Sequence, residues 1–264
     1  MAILTGVIQF IGKLGGIRHY RHLHDPNIYA SEINSVDIKV YKKSRKFENN
    51  RLSNVEFAGC AVAVKGIRMG FDRLIPAMID THFTERLMKF TRELSLKDME
   101  GFKGERSLRF SAFRPSMKDL YFNKKYKAME SAMHALKSSH SDSRVETILM
   151  VNRLRMQSRN APSGATHYRL LSHISVVSDY CFSKNNTRYE PTNPLDGLSA
   201  YAYSEMTGID VELTTKIVVA FAEGTVLSED CTVIHCVAIE FMEPNGIQGN
   251  RTIYGGSVEI MEVF

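Results

Sequence analysis

The chain has 264 residues, of which 44% are hydrophobic and 24% are charged, a composition that excludes a mainly disordered protein. No apolar run reaches the roughly 18 residues that cross a bilayer as a helix, and no basic region precedes the apolar N-terminus. We therefore expect no membrane span and cytoplasmic synthesis without a signal peptide.

The net charge of +5 is distributed unevenly along the chain. Residues 1–52 carry nine Lys and Arg against four Asp and Glu, and residues 53–143 carry sixteen against eleven, so each segment is +5. Residues 144–264 carry nine against fourteen, which is −5. The basic half can meet a polyanion such as nucleic acid, or it can attract the acidic part of a neighbouring copy. An imbalance of this size can also be without function.

Residues 1–52 are predicted to form an extended basic N-terminal arm with short strands. Over residues 3–14 apolar residues alternate, and those on one side are Leu4, Ile8, Phe10 and Leu14. The other side is also partly apolar, and one sheet edge alone would not cover both sides. The arm is therefore expected to add a strand to the sheet of another copy. Residues 36–40 alternate as a further short strand.

The histidines of residues 19–24 form the densest cluster of potential metal ligands in the chain. His22 and His24 would share one face of a strand, but no third ligand stands at a suitable spacing. We predict no metal and no cofactor. The basic run at 42–46, flanked by Tyr41 and Phe47, is read as a solvated linker, with a single-stranded nucleic-acid groove as the alternative.

Residues 53–143 are predicted to be a helical region that begins at Ser53, with Glu56 completing a capping box. Small residues then recur at spacings of four, three and four: Gly59, Ala63, Gly66 and Gly70. Each glycine inside a helix costs about 1 kcal/mol relative to alanine, and close approach of another backbone can offset that cost. Packing within one subunit and contact between subunits both explain this stripe.

Further along, a second helix is predicted beyond residue 80, with Asp80 and Thr81 as its cap. Apolar spacing also predicts a helix over residues 125–137, and the polar residues 138–143 are typical of a linker.

From residue 144 the apolar pattern changes to period two, which predicts an antiparallel β-sandwich or open barrel over residues 144–264. The strictest alternation places Val211, Ile217, Val219 and Phe221 in its core. The predicted fold class is α+β, in which the strand arm and the helical region precede the sandwich.

No motif for phosphate, dinucleotide, serine-hydrolase or metalloprotease chemistry is present. Asp179, Glu240, His173 and His235 lie in predicted strands and offer an acid–base pair, although satisfied buried polar residues explain them better. We predict no catalytic residue and no enzyme activity. The four cysteines are expected to be free, mostly buried thiols, and a disulfide between Cys181 and Cys231 stays open.

Several short segments resemble an uncharacterised family of bacterial hypothetical proteins, and they extend over most of the chain. They are ENNR at 48–51, EFAG at 56–59, KGIR at 65–68, GER at 104–106, GATHYR at 164–169, SDY at 178–180 and IEF at 239–241. The resemblance implies one evolutionary unit and carries no activity.

The sequence is consistent with three functions. The first is a structural subunit that forms a homopolymer, such as a filament, a tube or a phage-like particle, which can be extracellular. Its expected interface comprises the four residues of the arm and the four of the glycine stripe named above. The second is a protein that coats nucleic acid with its basic half, and the third is a β-sandwich module that binds a ligand or a protein.

Overall fold

The computed structural model describes residues 2–6, 9–22, 25–33, 36–74, 78–124, 128–244 and 251–264. Contacts divide the chain into two compact units, Met1–Arg51 and Leu52–Phe264, which we call the first and the second unit. The division at 51/52 lies next to the predicted boundary at 52/53. Within the described ranges, no helix has both the length and the apolar character needed to span a bilayer.

The first unit contains a four-stranded antiparallel sheet in the order β1-β4-β3-β2. Its strands are Ala2–Ile3 (β1), Gly12–Leu14 (β2), Ile17–Arg21 (β3) and Ile28–Glu32 (β4). A two-residue turn joins β2 to β3, and Gly15 has there a φ of 59°, which glycine adopts without strain. The strand predicted over residues 3–14 is thus replaced by two short strands at opposite edges of the unit's own sheet.

Residues 38–43 form a helix, α1 (Ile38–Lys43), so the prediction of a strand over residues 36–40 is wrong. The side chain of Asp37 accepts a hydrogen bond from the Lys39 N–H at 2.8 Å and caps the helix. Ser44 caps the following 3₁₀ turn, Arg45–Phe47, in the same way. An alternation of only five residues favours a strand weakly, whereas the two side-chain caps stabilise helical turns at these positions.

Two long helices, α2 (Glu48–Gly70) and α3 (Phe83–Ser95), lie side by side, and a single turn, α4 (Arg114–Met117), follows. They are antiparallel, because Glu56 of α2 pairs with Arg92 near the end of α3, whereas Arg68 donates to Thr84 near its beginning. α2 begins five residues before Ser53, so the predicted capping box is not formed and Glu56 is an interior residue of the helix.

The second unit contains three further sheets, and every strand pairing described in it is antiparallel. Their orders are β10-β7-β13-β14 with β11 also on β7, β12-β6-β5, and β8-β9. The strands are Leu136–His140 (β5), Glu146–Arg155 (β6), His167–Ser178 (β7), Tyr180–Ser183 (β8), Arg188–Pro191 (β9), Ser199–Tyr203 (β10), Thr207–Gly208 (β11), Glu212–Ala220 (β12), Cys231–Pro244 (β13) and Arg251–Val263 (β14). Helices and open antiparallel sheets together confirm the α+β class.

The segment before β6 differs from its prediction. Residues 128–131 and 133–135 form 3₁₀ turns, and Leu136–His140 is strand β5, where a helix and then a linker are predicted. Residues 125–127 of that predicted helix lie outside the described residues. Apolar residues three or four positions apart suit successive 3₁₀ turns as well as an α-helix, so the spacing alone gave the wrong element.

The central strands of the five-stranded sheet, β7 and β13, are buried on both faces. On β7, Leu171 and Val177 join a hydrophobic cluster with the inner faces of α2 and α3. Leu170 and Ile174, which point the other way, join a second cluster with β6, β12 and β13. Side chains of residues 53–143 and of residues 144–264 therefore share one core, and the structure does not separate them at the predicted boundary.

The register of β12 follows the predicted alternation over most of its length. Ile217, Val219 and Phe221 are buried in the second cluster. Val211 is exposed, contrary to the prediction, because β12 begins only at Glu212 and the alternating pattern extends beyond the strand.

Candidate assembly interface

The glycine stripe of α2 faces the interior of the second unit. A β-carbon on Gly59 would meet the ring of Tyr189, one on Gly66 would meet Tyr180 and Asp196, and one on Gly70 would meet Ser175. Ala63 is fully buried. All of these neighbours belong to the same chain. Packing within one subunit, the first of the two alternatives, therefore accounts for Gly59, Ala63, Gly66 and Gly70.

The four predicted arm residues have different surroundings. Leu4 is half-buried, and the ring of half-buried Phe10 lies 4.4 Å from that of His19. Leu14, at the edge strand β2, is 65% exposed. Ile8 lies outside the described residues. The structure thus leaves Leu14 available for a contact with another molecule and uses Phe10 inside the unit's own sheet.

The surface of the first unit is rich in exposed apolar side chains. Of the twenty large exposed hydrophobic residues among those described, seven belong to this unit. They are Ile3, Ile11, Leu14, Ile17, Val36, Ile38 and Val40. The unit has only 51 residues, and its one buried large hydrophobic residue among those described is Ile28. Large exposed hydrophobic residues are therefore more frequent on this unit than on the second one.

The same sheet carries a group of aromatic and basic side chains. The rings of Tyr20 and Tyr29 lie 6.0 Å apart, and that of His22 lies 5.0 Å from Tyr29. The guanidinium of Arg18 lies 5.7 Å from the centroid of Tyr20. His24 of the predicted cluster is outside the described residues, and within those residues no three His, Cys, Asp or Glu side chains are grouped as metal ligands.

Of the residues considered for acid–base chemistry, His235 is held in a network of buried hydrogen bonds. His235 is bonded through Nε2 to Ser172 at 2.9 Å and through Nδ1 to Ser138 at 2.8 Å. Ser138 donates to Glu262 at 3.1 Å, so it accepts from His235, and Ser172 then donates to Nε2. A serine donating to a histidine resembles an activated nucleophile, but Ser172 and His235 are both fully buried, which leaves a substrate no access in this structure.

The other three residues considered for acid–base chemistry are not hydrogen-bonded to the His235 network. Asp179 accepts two hydrogen bonds from Ser111, and burial raises the pKa of its carboxyl. Glu240 forms a buried ion pair with Arg169 at 2.6 Å. His173 is fully buried without a hydrogen-bond partner among the described residues. The structure does not bring these residues together into one site.

Burial lowers the pKa of His235 to about 3 and that of His173 to about 4, from 6.5 in each case. At pH 5 both are neutral in the folded protein and protonated in the unfolded chain, so unfolding takes up protons and stability falls as the pH falls below 6.5. We expect His235→Gln to reduce the loss of unfolding free energy between pH 7 and pH 5 by about 2 kcal/mol.

Urea unfolding of both proteins at the two pH values measures this difference. His173 is present in both proteins and cancels, and any fixed cost of the substitution cancels as well because only the change with pH is compared. An equal loss of stability in the two proteins would contradict a neutral, buried His235.

The structure forms no disulfide. Cys60, Cys181, Cys231 and Cys236 are all free, and Cys181 alone is exposed. The pairing of Cys181 with Cys231 that the sequence left open is absent.

Glu56, which the sequence predicts only as part of a capping box, has a fully buried carboxylate that holds Arg92, Arg106 and the Gly104 N–H. The sequence does contain a pattern that indicates the burial of Glu56. This residue precedes Gly59 by three positions and so continues the spacing of the small-residue stripe. The His235 network gave no such signal, since its partners come from strands far apart in sequence.

Comparison of the chain with protein-family models, with curated proteins and with solved structures finds no match in any of the three.

Proposed function

We propose that the protein is a structural subunit that self-assembles, and that the first unit supplies a contact to the next copy. The observation that carries the proposal is the concentration of exposed apolar side chains on this small unit. β1 and β2 are the edge strands of its sheet, and an edge strand can pair with a strand of another molecule. Ile11 and Leu14, at β2, would be covered by such a contact.

Charge supports a second copy as the partner. The first unit carries nine Lys and Arg against four Asp and Glu, whereas residues 144–264 carry an excess of five acidic residues. Surfaces of opposite charge attract and orient two copies before apolar contacts form. A contact between two different surfaces of one chain repeats and produces rings or open filaments.

We infer a β-sandwich as the scaffold that accompanies this function. What supports it is the second hydrophobic cluster, in which β6 and β12 of the three-stranded sheet contribute side chains together with β7 and β13 of the five-stranded sheet. Two sheets that share one core in this way correspond to the layers of a sandwich.

The double variant Ile11→Asp/Leu14→Asp tests the interface. Both side chains are more than 60% exposed, so the variant should fold normally. We expect it to remain monomeric at concentrations at which the native protein forms large particles, because two charges would be buried in the contact. Light scattering at low salt measures the mass, and electron microscopy shows the particles.

Val226→Asp is the matched control, since Val226 is 81% exposed and lies in the second unit. It should assemble like the native protein. A native protein that stays monomeric at high concentration and low salt would refute self-assembly, and normal assembly of the double variant would remove β2 from the interface.

A second candidate function is the coating of nucleic acid. It is favoured by the cluster of Arg18, Tyr20, His22 and Tyr29, because stacked aromatic and basic side chains bind single strands. If the protein coats nucleic acid, light scattering should detect particles only after a single-stranded oligonucleotide is added. These particles should dissociate as the salt concentration is raised.

A further inference from the structure

The sheet of the first unit has two faces of different chemistry. Residues that lie opposite each other in an antiparallel pairing project to the same side, and successive residues of a strand project to opposite sides. Lys13 lies opposite Arg18, and Tyr20 lies opposite Tyr29. Because Arg18 and Tyr20 are two positions apart on β3, the four side chains share one face. We call it the basic-aromatic face.

The other face of the same sheet carries exposed apolar side chains. Leu14 and Ile17 lie opposite each other on β2 and β3, and both are exposed. Ile28, which is buried, lies opposite Arg21 and therefore shares this face. We call it the apolar face. A contact between copies through Leu14 would cover the apolar face and leave the basic-aromatic face accessible.

Two tyrosine rings form the middle of the basic-aromatic face. Their centroids lie 6.0 Å apart, and their planes differ by 30°. The guanidinium of Arg18 lies 5.7 Å from the centroid of Tyr20, and Ile3, which is exposed, lies opposite Tyr29 on β1. Arg18 and Lys13 are exposed, and neither forms an ion pair with a described residue. The face thus offers aromatic surface together with two cations that are available to a ligand.

One carboxylate lies beside this face. Asp25, in the loop between β3 and β4, accepts a hydrogen bond from the Tyr29 hydroxyl at 2.5 Å and one from the Asn27 N–H at 2.9 Å. The first bond limits the motion of the Tyr29 ring, which lowers the entropy that stacking a ligand on it would cost. Glu32, the other acidic residue among residues 1–33, lies opposite Ile17 and therefore on the apolar face. The cations of the basic-aromatic face thus outnumber the nearby carboxylate.

The combination of rings and cations selects the class of ligand. Unpaired bases stack on aromatic side chains, while Lys and Arg attract the phosphates that join them. Arg18 and Tyr20, two residues apart on β3, are separated by about 7 Å along the strand, so one nucleotide can reach both. In a duplex the bases stack on one another, and an acidic protein has no base to place on the rings. Either of these partners would use the cations alone.

We propose that the basic-aromatic face of the first unit binds single-stranded nucleic acid while the apolar face contacts the next copy. The proposal rests on the proposed self-assembly. It makes the two candidate functions parts of one particle, in which each subunit holds a short piece of the strand. Opposite faces of one sheet do not compete for the same partner, so both contacts can form at once.

Fluorescence anisotropy with a labelled single-stranded oligothymidine tests the basic-aromatic face. Tyr20→Ala removes one stacking ring and should weaken binding about tenfold or more, whereas Tyr20→Phe keeps the ring and should bind like the native protein. Arg18→Ala changes an exposed side chain, so the fold should be retained. It should weaken binding at low salt and make the affinity less dependent on salt, because one phosphate contact is lost.

Arg21→Ala is the matched control, because Arg21 is exposed on the same strand but projects to the apolar face. It removes the same charge and should bind the oligothymidine like the native protein. Equal weakening by Arg18→Ala and Arg21→Ala would overturn the basic-aromatic face as the site and leave the coating of nucleic acid through another basic segment standing. Native binding by Tyr20→Ala would have the same consequence.

Light scattering separates this proposal from self-assembly itself. We expect the native protein to form particles without nucleic acid and to keep them when the oligothymidine binds. Particles that fall apart on binding would show that the strand and the next copy compete for one face, which would overturn the proposal. Native protein that assembles but binds no oligothymidine would overturn it as well and leave self-assembly standing, whereas protein that stays monomeric would overturn both.

Discussion

Val219→Asp is expected to prevent stable folding of the second unit. Val219 is buried in the cluster shared by β6, β7, β12 and β13. A carboxylate there would lack a partner, and burying it costs more than about 4 kcal/mol, a large fraction of the roughly 5–15 kcal/mol by which an ordinary domain is stable. Circular dichroism during thermal unfolding should show a transition that is greatly lowered or absent.

Val218→Asp is the control for that experiment. The residue precedes Val219 on the same strand and is exposed, because successive side chains of β12 point to opposite faces. Its melting temperature should stay close to that of the native protein. Equal effects of the two substitutions would show that the register of β12 is different from the one described here.

Glu56→Ala is expected to lower the free energy of unfolding by about 3–5 kcal/mol. The carboxylate of Glu56 accepts from Arg92 at 2.7 Å and from the Gly104 N–H at 3.0 Å, and Arg106 lies 3.5 Å from it. Removing this carboxylate leaves two partly buried guanidinium groups and a buried N–H without their acceptor. Urea unfolding followed by circular dichroism measures the change.

Glu93→Ala removes a carboxylate from α3 that is exposed and lies 4.0 Å from Lys89. Such a surface pair contributes less than about 1 kcal/mol, so this variant should unfold almost like the native protein. If Glu56→Ala were equally mild, the buried carboxylate would not hold the two helices and the loop together.

Hydrophobic periodicity predicted those parts of the fold in which one element buries one face. β12 is the clearest example, because Ile217 and Val219 alternate with exposed residues. The small-residue stripe of α2 likewise predicted a close contact. Its neighbours are the side chains of Tyr180 and Tyr189 and, at Gly66 and Gly70, the backbone of Gly197. The spacing shows that a face is buried, and it carries no information about which part of the molecule covers it.

The failures occurred where a local hydrogen bond or a long-range partner decides the structure. Asp37 changes an alternating segment into the helix α1 through its cap. His235 is bonded to side chains 63 and 97 residues away, and these partners are known only once β5, β7 and β13 are placed.

The burial of β7 and β13 on both faces of their sheet has a consequence for how the second unit unfolds. β7 supplies side chains to both hydrophobic clusters, so neither the helices nor the three-stranded sheet can separate without exposing one of its faces. The layers are thereby coupled in a single cooperative transition. Amide protons in the middle of β7 and β13 should then exchange with solvent only when the whole unit opens, whereas those of the exposed edge strands exchange through local fluctuations.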